Sequence, residues 1–348
     1  MSVAINGTNG ITYNDGSLQP SAPVGKNLII NGNMAIAQRA TSVTGITSAG
    51  YNTIDRWKTD VTTAGTWTQT QSTDVPTGQG FATSVKMDCT TADASLAASD
   101  KVFLGQRIEG FNVQSLAKGT ANAKSTTLSF WVKSNKTGTY IAELFDVNNL
   151  RVICKAYTIS VANTWEKKTL TYAGDTSGVL ANNNAIGLLV QFWMAAGSTF
   201  TSGTLQTSWA GNTNANRAVG QVNLADSTSN EWYITGVQLE ANTTDSAFEN
   251  LMYSQQLALC QRYFQYWYHM WNGVAFLSED TTNHTSFMTE MRAIPTVVRT
   301  GGTFDTRYPS SSWLLLYVSN ASVASRIRAG TAGGNDGWKA NGTLEAEL

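Results

Sequence analysis

The stretch Asn230–Trp271, NEWYITGVQLEANTTDSAFENLMYSQQLALCQRYFQYWYHMW, decides how the chain is divided. Glu231–Glu240 is rich in β-formers: Trp232, Tyr233, Ile234, Thr235, Val237 and Leu239. Apolar side chains fall on both of its faces. The strand is therefore covered on both sides or shifts phase near Gly236. After a polar loop at Ala241–Ser246, Leu257, Cys260, Phe264 and Trp267 recur at helical spacing, with Ser254 as a plausible N-cap. Dense aromatics follow from Tyr263 to Trp271. The stretch reads as the last strand of one domain, a connecting helix over 249–262, and the first strand of the next.

Outward from this hinge, 348 residues with 42% hydrophobic content suffice for two cored domains. Only 14% of residues are charged, so Asn, Thr, Ser, Gln and Gly must finish the surface. That balance suits an all-β protein that is extracellular or on a particle surface. The formal net charge of −1 leaves no electrostatic footprint for nucleic acid. Cys89, Cys154 and Cys260 are widely spaced, lack any CxxC, and read as buried small hydrophobes. MSVAINGTNG has no basic segment leading into an apolar run, so no signal peptide is expected. Ala185–Ala196 is too short to span a bilayer, and no membrane insertion is expected.

Residues 1–26 are polar, with Asn-Gly and Asp-Gly turn signals, and read as an extended arm. Residues 27–248 read as short strands, including Asn27–Ile30, Ala35–Arg39, Thr126–Lys133, Ile186–Trp193 and Glu231–Glu240. In Thr126–Lys133, Leu128, Phe130 and Val132 face one way, and Thr127, Ser129, Trp131 and Lys133 the other. This pattern predicts a large jelly-roll β-sandwich. Gly197–Asn230 is a long Ser, Thr, Gly and Asn-rich connection: functional, packed on a neighbour, or disordered. Residues 263–348 read as a small C-terminal β-domain, with Trp313–Val318 as a buried strand.

Several segments together resemble a known family. Asn27-Leu-Ile-Ile-Asn-Gly-Asn-Met34, Ala37-Gln-Arg39 and Asp55-Arg-Trp57 look like the opening of a β-sandwich found in tail-fibre and receptor-binding proteins of tailed bacteriophages, marine and cyanobacterial phages in particular. Ile234-Thr-Gly-Val-Gln-Leu-Glu240, Ala247-Phe-Glu249 and Leu257-Ala-Leu-Cys-Gln-Arg-Tyr-Phe264 are similar to its close. Leu128-Ser-Phe-Trp-Val-Lys-Ser134 and Thr164-Trp165 resemble strands of carbohydrate-binding jelly rolls. Met291-Arg-Ala-Ile-Pro-Thr296 resembles the small domain that often follows, and Ile5–Ser17 the segments that often precede. The resemblance implies a virion-surface homotrimer, assembled in the host cytoplasm, with the arm joining other tail or baseplate proteins. Its partner outside the particle would be a host cell-surface glycan. Tyr263, Phe264, Trp267 and Trp271 are the candidates for packing or trimer contacts.

No GxSxG, HExxH or phosphate loop occurs, and the histidines are His269 and His284 alone. A non-enzymatic adhesin is expected. The alternatives are a structural baseplate or head-decorating fibre, and a polysaccharide depolymerase using carboxylates such as Asp146, Asp226 and Glu231. Sugars need flat rings for their C–H faces and amides or guanidinium for their hydroxyls. Trp209, Asn212 and Arg217 in the long connection offer that chemistry, as does Trp338. The competing reading is that Trp209 packs the connection onto the sandwich. Trp131, Trp165, Trp193 and Trp232 are expected mostly in the core. No cofactor is expected. A structural calcium on Glu240 or Asp55 is conceivable, without a DxDxDG run behind it. Arg56 is expected to pair with Glu240.

Overall fold

The computed structural model describes the backbone of residues 4–6, 10–12, 18–19, 26–275, 280–304, 312–328 and 334–348, and side chains of 26–267, 286–298, 318–322 and 342–348. Three short strands open it: β1 (Ala4–Asn6), β2 (Gly10–Thr12) and β3 (Leu18–Gln19), joined antiparallel.

The body comprises β4 (Ser42–Ile46), β5 (Gly50–Tyr51), β6 (Trp57–Thr62), β7 (Thr66–Ser72), β8 (Ser84–Thr91), β9 (Lys101–Glu109), β10 (Thr126–Ser134), β11 (Gly138–Asp146), β12 (Arg151–Ile159), β13 (Glu166–Tyr172), β14 (Ile186–Ala196), β15 (Ala210–Gly211) and β16 (Glu231–Glu240). They form a 6-stranded sheet, β13-β10-β16-β8-β7-β4, and a 7-stranded sheet, β15-β12-β11-β14-β9-β6-β5. The sequence expectation of a mostly β protein built on a large sandwich holds. Alternation sets the core, as it must when one face of each strand is buried. Leu128, Phe130 and Val132 meet Ile234, Trp232, Val190 and Phe192 between the sheets. Phe192 is the hub, with ring centres 5.0 Å from Phe130, 6.1 Å from Trp232 and 6.3 Å from Trp57. Each such side chain contributes about 1.5–3 kcal/mol on burial.

Gly236 resolves the two-faced strand. Its φ of +62° carries a bulge, and the register with β10 slips between Ser129 and Trp131. Trp232 and Ile234 before it and Val237 and Leu239 after it therefore all reach the core. All three cysteines are free and buried.

Two expected strands are absent. Asn27–Ile30 and Ala35–Arg39 are irregular, because Asn31 and Met34 take left-handed φ values of 59° and 58°. Asn31 is satisfied in burial instead. Its Nδ2 donates to the carbonyls of Ile36 (2.8 Å) and Asp55 (3.0 Å), and its Oδ1 accepts from Ile36 N (3.0 Å). This segment lies along the closing strand: Leu28 N donates to Leu239 O, and Val237 N to Gly32 O, both at 2.9 Å. A Cβ on Gly32 would sit 2.1 Å from Val237 O, so only glycine permits the approach.

The single-turn α1 (Ser198–Thr201) lies inside the long connection, and α2 (Tyr253–Gln261) follows the sandwich. The expected stripe ends sooner than its spacing predicts. Phe264 and Trp267 belong not to the helix but to β17 (Phe264–Ala275). Ser254 lies inside α2, whose N-cap is Met252. The C-terminal strands are β17, β18 (Asp280–Ser286), β19 (Thr296–Phe304), β20 (Ser312–Val318), β21 (Ser322–Arg328) and β22 (Gly334–Glu345). They pair as β17-β22-β19 and β18-β21-β20.

The end of β22 docks into the sandwich. Arg56 is 1% exposed, ion-pairs with Glu347, donates to Arg107 O at 2.5 Å, and stacks 3.4 Å from the Tyr263 ring centre. Arg56 thus pairs with Glu347 rather than the expected Glu240, whose carboxylate accepts from Ser246 N and Oγ, both at 2.8 Å. Arg39 lies 3.8 Å over the Phe264 ring and reaches Glu345 (3.2 Å) and Glu347 (3.3 Å). Arg262 grips Glu109 at 3.0 Å, and Arg292 donates to the carbonyls of Ala346 (2.5 Å) and Glu347 (2.9 Å). Burial penalises the charge on Arg56, but Glu347, joined by Tyr263, Tyr51 and Cys260, more than compensates and raises its pKa.

Removing one partner of such a pair leaves a buried charge. Glu347→Gln should cost about 3–5 kcal/mol in chemical denaturation, and a cost below about 1 kcal/mol would show that Arg56 is satisfied otherwise. Asp55, 1% exposed at the same junction, titrates at about 6, because burial raises it more than Gln38 and Arg39 lower it. Its protonated form favours the fold. That stabilisation is fully present below about pH 4 and lost as pH rises through about 6, a span worth at most about 3 kcal/mol. Wild type should therefore gain stability relative to Asp55→Asn as pH falls from 7 to 4, and parallel melting curves would refute it.

Candidate functional site: a groove over the 6-stranded sheet

The two outer faces of the sandwich differ. On the 7-stranded sheet, Phe103, Ile141, Val152, Cys154 and Trp193 form a second apolar layer. The long connection lies over them, inserting Phe200 and Ala218. It is stitched down by Gln206 O accepting from Cys154 N at 2.6 Å, and by Val222 N donating to Thr139 O at 3.0 Å. Arg217 closes this layer. Its Nε and Nη2 clamp the buried Glu143 carboxylate at 2.9 and 2.6 Å, and it lies 5.3 Å from the Trp193 ring centre. Beside Phe103 and Arg107 a gap of about 10 Å³ remains, at most one water's worth. Of the three expectations for the connection, packing applies, and onto its own sheet.

The predicted site residues fall as follows. Arg217 is the buried clamp. Trp209 is half-buried, packs against the main core, and donates from Nε1 to Ala173 O at 2.8 Å. Lys118 Nζ stands 5.2 Å from its ring centre. Asn212 N donates to Leu150 O at 2.7 Å beside the sheet edge. These three stand along one segment without enclosing a common cavity among the described residues. Trp338 pairs with Trp271 in the β17–β22 register, and both side chains lie outside the described residues, as do those of His269 and His284. Tyr263, Phe264 and Trp267 are buried within the chain itself, the first two against Arg56 and Arg39 of the sandwich and Trp267 among Met291, Leu344 and Ala346 of the cap.

The outer face of the 6-stranded sheet has no second apolar layer, and over its central strands Ser129, Lys133, Tyr233 and Thr235 are buried while Trp131 and Glu231 stay half-exposed. Here β10 turns out Ser129, Trp131 and Lys133, and the neighbouring β16 turns out Glu231, Tyr233 and Thr235. Trp131 and Trp165 were expected in the core. Both are only half-buried, whereas Trp193 and Trp232 are fully buried. The alternation of β10 already placed Trp131 opposite Phe130, which was the sequence signal for this face. A groove of about 290 Å³ lies over the bulge, lined by Trp131, Ser129, Phe81, Phe248, Gln79 and Asn250 among others. Phe81 and Phe248 meet edge to face at 5.1 Å and come from the two loops flanking the sheet. A Cβ on Gly236 would stand 2.6 Å from the Phe81 ring, so the glycine lets that ring lie across the strand. Phe248 lies in the Ala247-Phe-Glu249 segment, but nothing in its sequence or in that of Phe81 showed that the two rings would meet.

Beside the groove, Lys133 lies 4.2 Å over the Tyr233 ring and ion-pairs with Asp74. Asp74 also accepts from Trp165 Nε1 at 2.9 Å, and Trp165 meets Tyr233 at 6.1 Å. Burial raises Asp74, but these hydrogen bonds outweigh it and hold the carboxyl below its ordinary range. Burial raises the Tyr233 phenol to about 12. Aromatic walls around hydroxyl and amide groups can stack a sugar ring and hydrogen-bond its hydroxyls.

The carboxylates weighed for hydrolysis are engaged elsewhere. Asp146 holds Lys118 at 2.5 Å, Glu231 holds Lys86 at 2.7 Å, and Asp226 ion-pairs with Lys136. Burial works to raise Asp226, but hydrogen bonds from Lys136 and Asn230 bring it below its ordinary value. Asp55 and Glu240 do not fit calcium. Both Asp55 oxygens accept from Gln38 with Arg39 alongside, and those of Glu240 accept from Ser246 and Gln238. Among the described residues no group of three or more His, Cys, Asp or Glu could hold a metal, and no helix is long and apolar enough to cross a membrane.

No protein-family model and no curated protein matches the chain. Solved structures similar to it include the enzymatically active domain of bacteriophage CBA120 tailspike protein 4, at 15% identity and TM-score 0.33, over 62% of this chain and 22% of that one. The family 11 carbohydrate-binding module from Clostridium thermocellum, in complex with a β-1,3-1,4-mixed-linked tetrasaccharide, aligns at 10% identity and TM-score 0.26, over 59% and 98%. TmCBM61 in complex with β-1,4-galactotriose aligns at 10% identity and TM-score 0.29, over 62% and 99%. At such scores these likenesses fix neither ligand nor activity.

The two kinds of tryptophan should separate on mutation. Trp232→Ala should cost about 3–5 kcal/mol, as loss of a buried aromatic does, and Trp131→Ala less than about 1.5 kcal/mol. Equal losses in denaturant titration would place Trp131 in the core.

Proposed function

We propose that this protein is a non-enzymatic tail-fibre protein of a bacteriophage that adheres to host-surface glycan through a groove over its 6-stranded sheet. One observation carries the glycan reading: the aromatic-walled, amide- and hydroxyl-lined groove at the half-exposed Trp131. The motif resemblance supports the placement on a phage particle. The ion-paired state of Asp146, Asp226 and Glu231 favours adhesion over hydrolysis, because an acid catalyst needs a carboxyl held near neutrality. A shallow groove offers weak contact per subunit. A trimeric fibre present in several copies would convert that into firm attachment by raising effective concentration.

Adsorption of purified protein to host cells is the test. Wild type should bind, sediment as a trimer, and release no reducing ends from host polysaccharide. Trp131→Ala should remain folded and lose adsorption by about tenfold or more, the loss of one stacking contact multiplied across subunits. Unchanged adsorption would remove the groove from the reading. Sugar release abolished by a single carboxylate substitution would replace adhesion with hydrolysis.

A further inference from the structure

Resting on that reading, we infer that the groove takes a neutral glycan rather than an acidic one. The ground is that each lysine around it among the described residues is already engaged, three by carboxylates and Lys26 by neutral oxygens. Lys133 pairs with Asp74. Lys86 pairs with Glu231 at 2.7 Å and has Asp88 at 3.6 Å. Lys167, on the groove wall, pairs with Asp245 at 2.7 Å. Lys26 donates to Ser246 Oγ (2.6 Å) and Ala247 O (2.7 Å) at the rim. Asp74, Asp88, Glu231 and Asp245 balance Lys26, Lys86, Lys133 and Lys167 around this groove, so there is no excess positive charge to attract an anion.

An anionic sugar would have to displace one of these carboxylates from its lysine and then lie beside it. Like-charge contact of that kind rejects a partner of the wrong sign. The lysines are also set to pack. Lys133 and Lys86 lie 4.2 and 5.6 Å from the Tyr233 ring centre, and their stems cover it. Opposite them stand the groups a neutral sugar uses. Trp131 and Phe81 offer faces to C–H bonds, while Ser129, Gln79 and Asn250 offer donors and acceptors to hydroxyls. Stacking and neutral hydrogen bonds are insensitive to salt, whereas attraction between exposed charges fades as the screening length shortens.

The experiment is retention of the full chain on immobilised neutral polymers (galactan, mannan, β-glucan) and acidic ones (polygalacturonate, alginate), at about 0.05 M and about 1 M NaCl, with Trp131→Ala in parallel. The expected result is retention on a neutral polymer, changed less than about twofold by salt and lost in Trp131→Ala. Retention on an acidic polymer only, weakened by salt and lost in Trp131→Ala, overturns the neutral-ligand inference and leaves the groove as the site. Retention that Trp131→Ala does not alter overturns the groove itself. Retention of wild type on none of the polymers counts against both.

Discussion

The architecture depends on one buried charge. Arg56 sits at φ 73°, an uncommon conformation for a side-chain-bearing residue, immediately before β6. Its guanidinium is inside the protein, where it must be paired or it would destabilise the fold by several kcal/mol. Glu347 pairs it, Arg107 O accepts from it, and Tyr263 covers its face. These partners come from the segment after β22, from β9 and from the short link between α2 and β17. Sandwich, helix and cap thus meet at one cation. Neutralising it requires that all three be in place together, which makes the junction a rigid unit rather than a linker.

This explains what the recurring motifs do. Asn27–Met34 lies against Val237–Leu239, and Asn27 N donates to Glu249 at 2.8 Å. Gln256 on α2 reaches Asn33 at 3.1 Å, and Gln38 reaches the carbonyl of Phe264 at 2.9 Å. Segments that look like separate signatures are the two sides of one seam. They specify how such a sandwich is closed and capped.

The sheet pattern was legible in the sequence because period-2 alternation follows directly from burying one face. The bulge at Gly236 was legible too, since apolar residues on both faces demand a change of phase. The helix limit was not. Phe264 and Trp267 continue the 3.6-residue spacing by coincidence, and the chain leaves the helix because β22 offers β17 a partner strand, a tertiary fact that local spacing cannot carry. Nor was the role of Arg217. In sequence it sits among exposed-looking Asn and Thr, and its partner Glu143 lies far away on β11. Trp131 was legible from alternation, but its aromatic count pulled it toward the core. Phe81 and Phe248 become a wall only after two distant loops converge.

The faces of the sandwich then account for where recognition can occur. Both sheets present aromatic rings outward, Trp193 and Phe103 on one, Trp131 and Tyr233 on the other. Apolar rings on an open face invite association, so each needs a cover or a use. The 7-stranded face is covered by the long connection, with Glu143 and Arg217 neutralising each other beneath it. On the 6-stranded face the rings are interleaved with paired lysines and carboxylates, which keep the surface wet and soluble while leaving Trp131 accessible. Trp131, half-exposed beside the register shift of β10 and β16 and surrounded by polar groups, is the ring on this face that the proposed sugar contact would use.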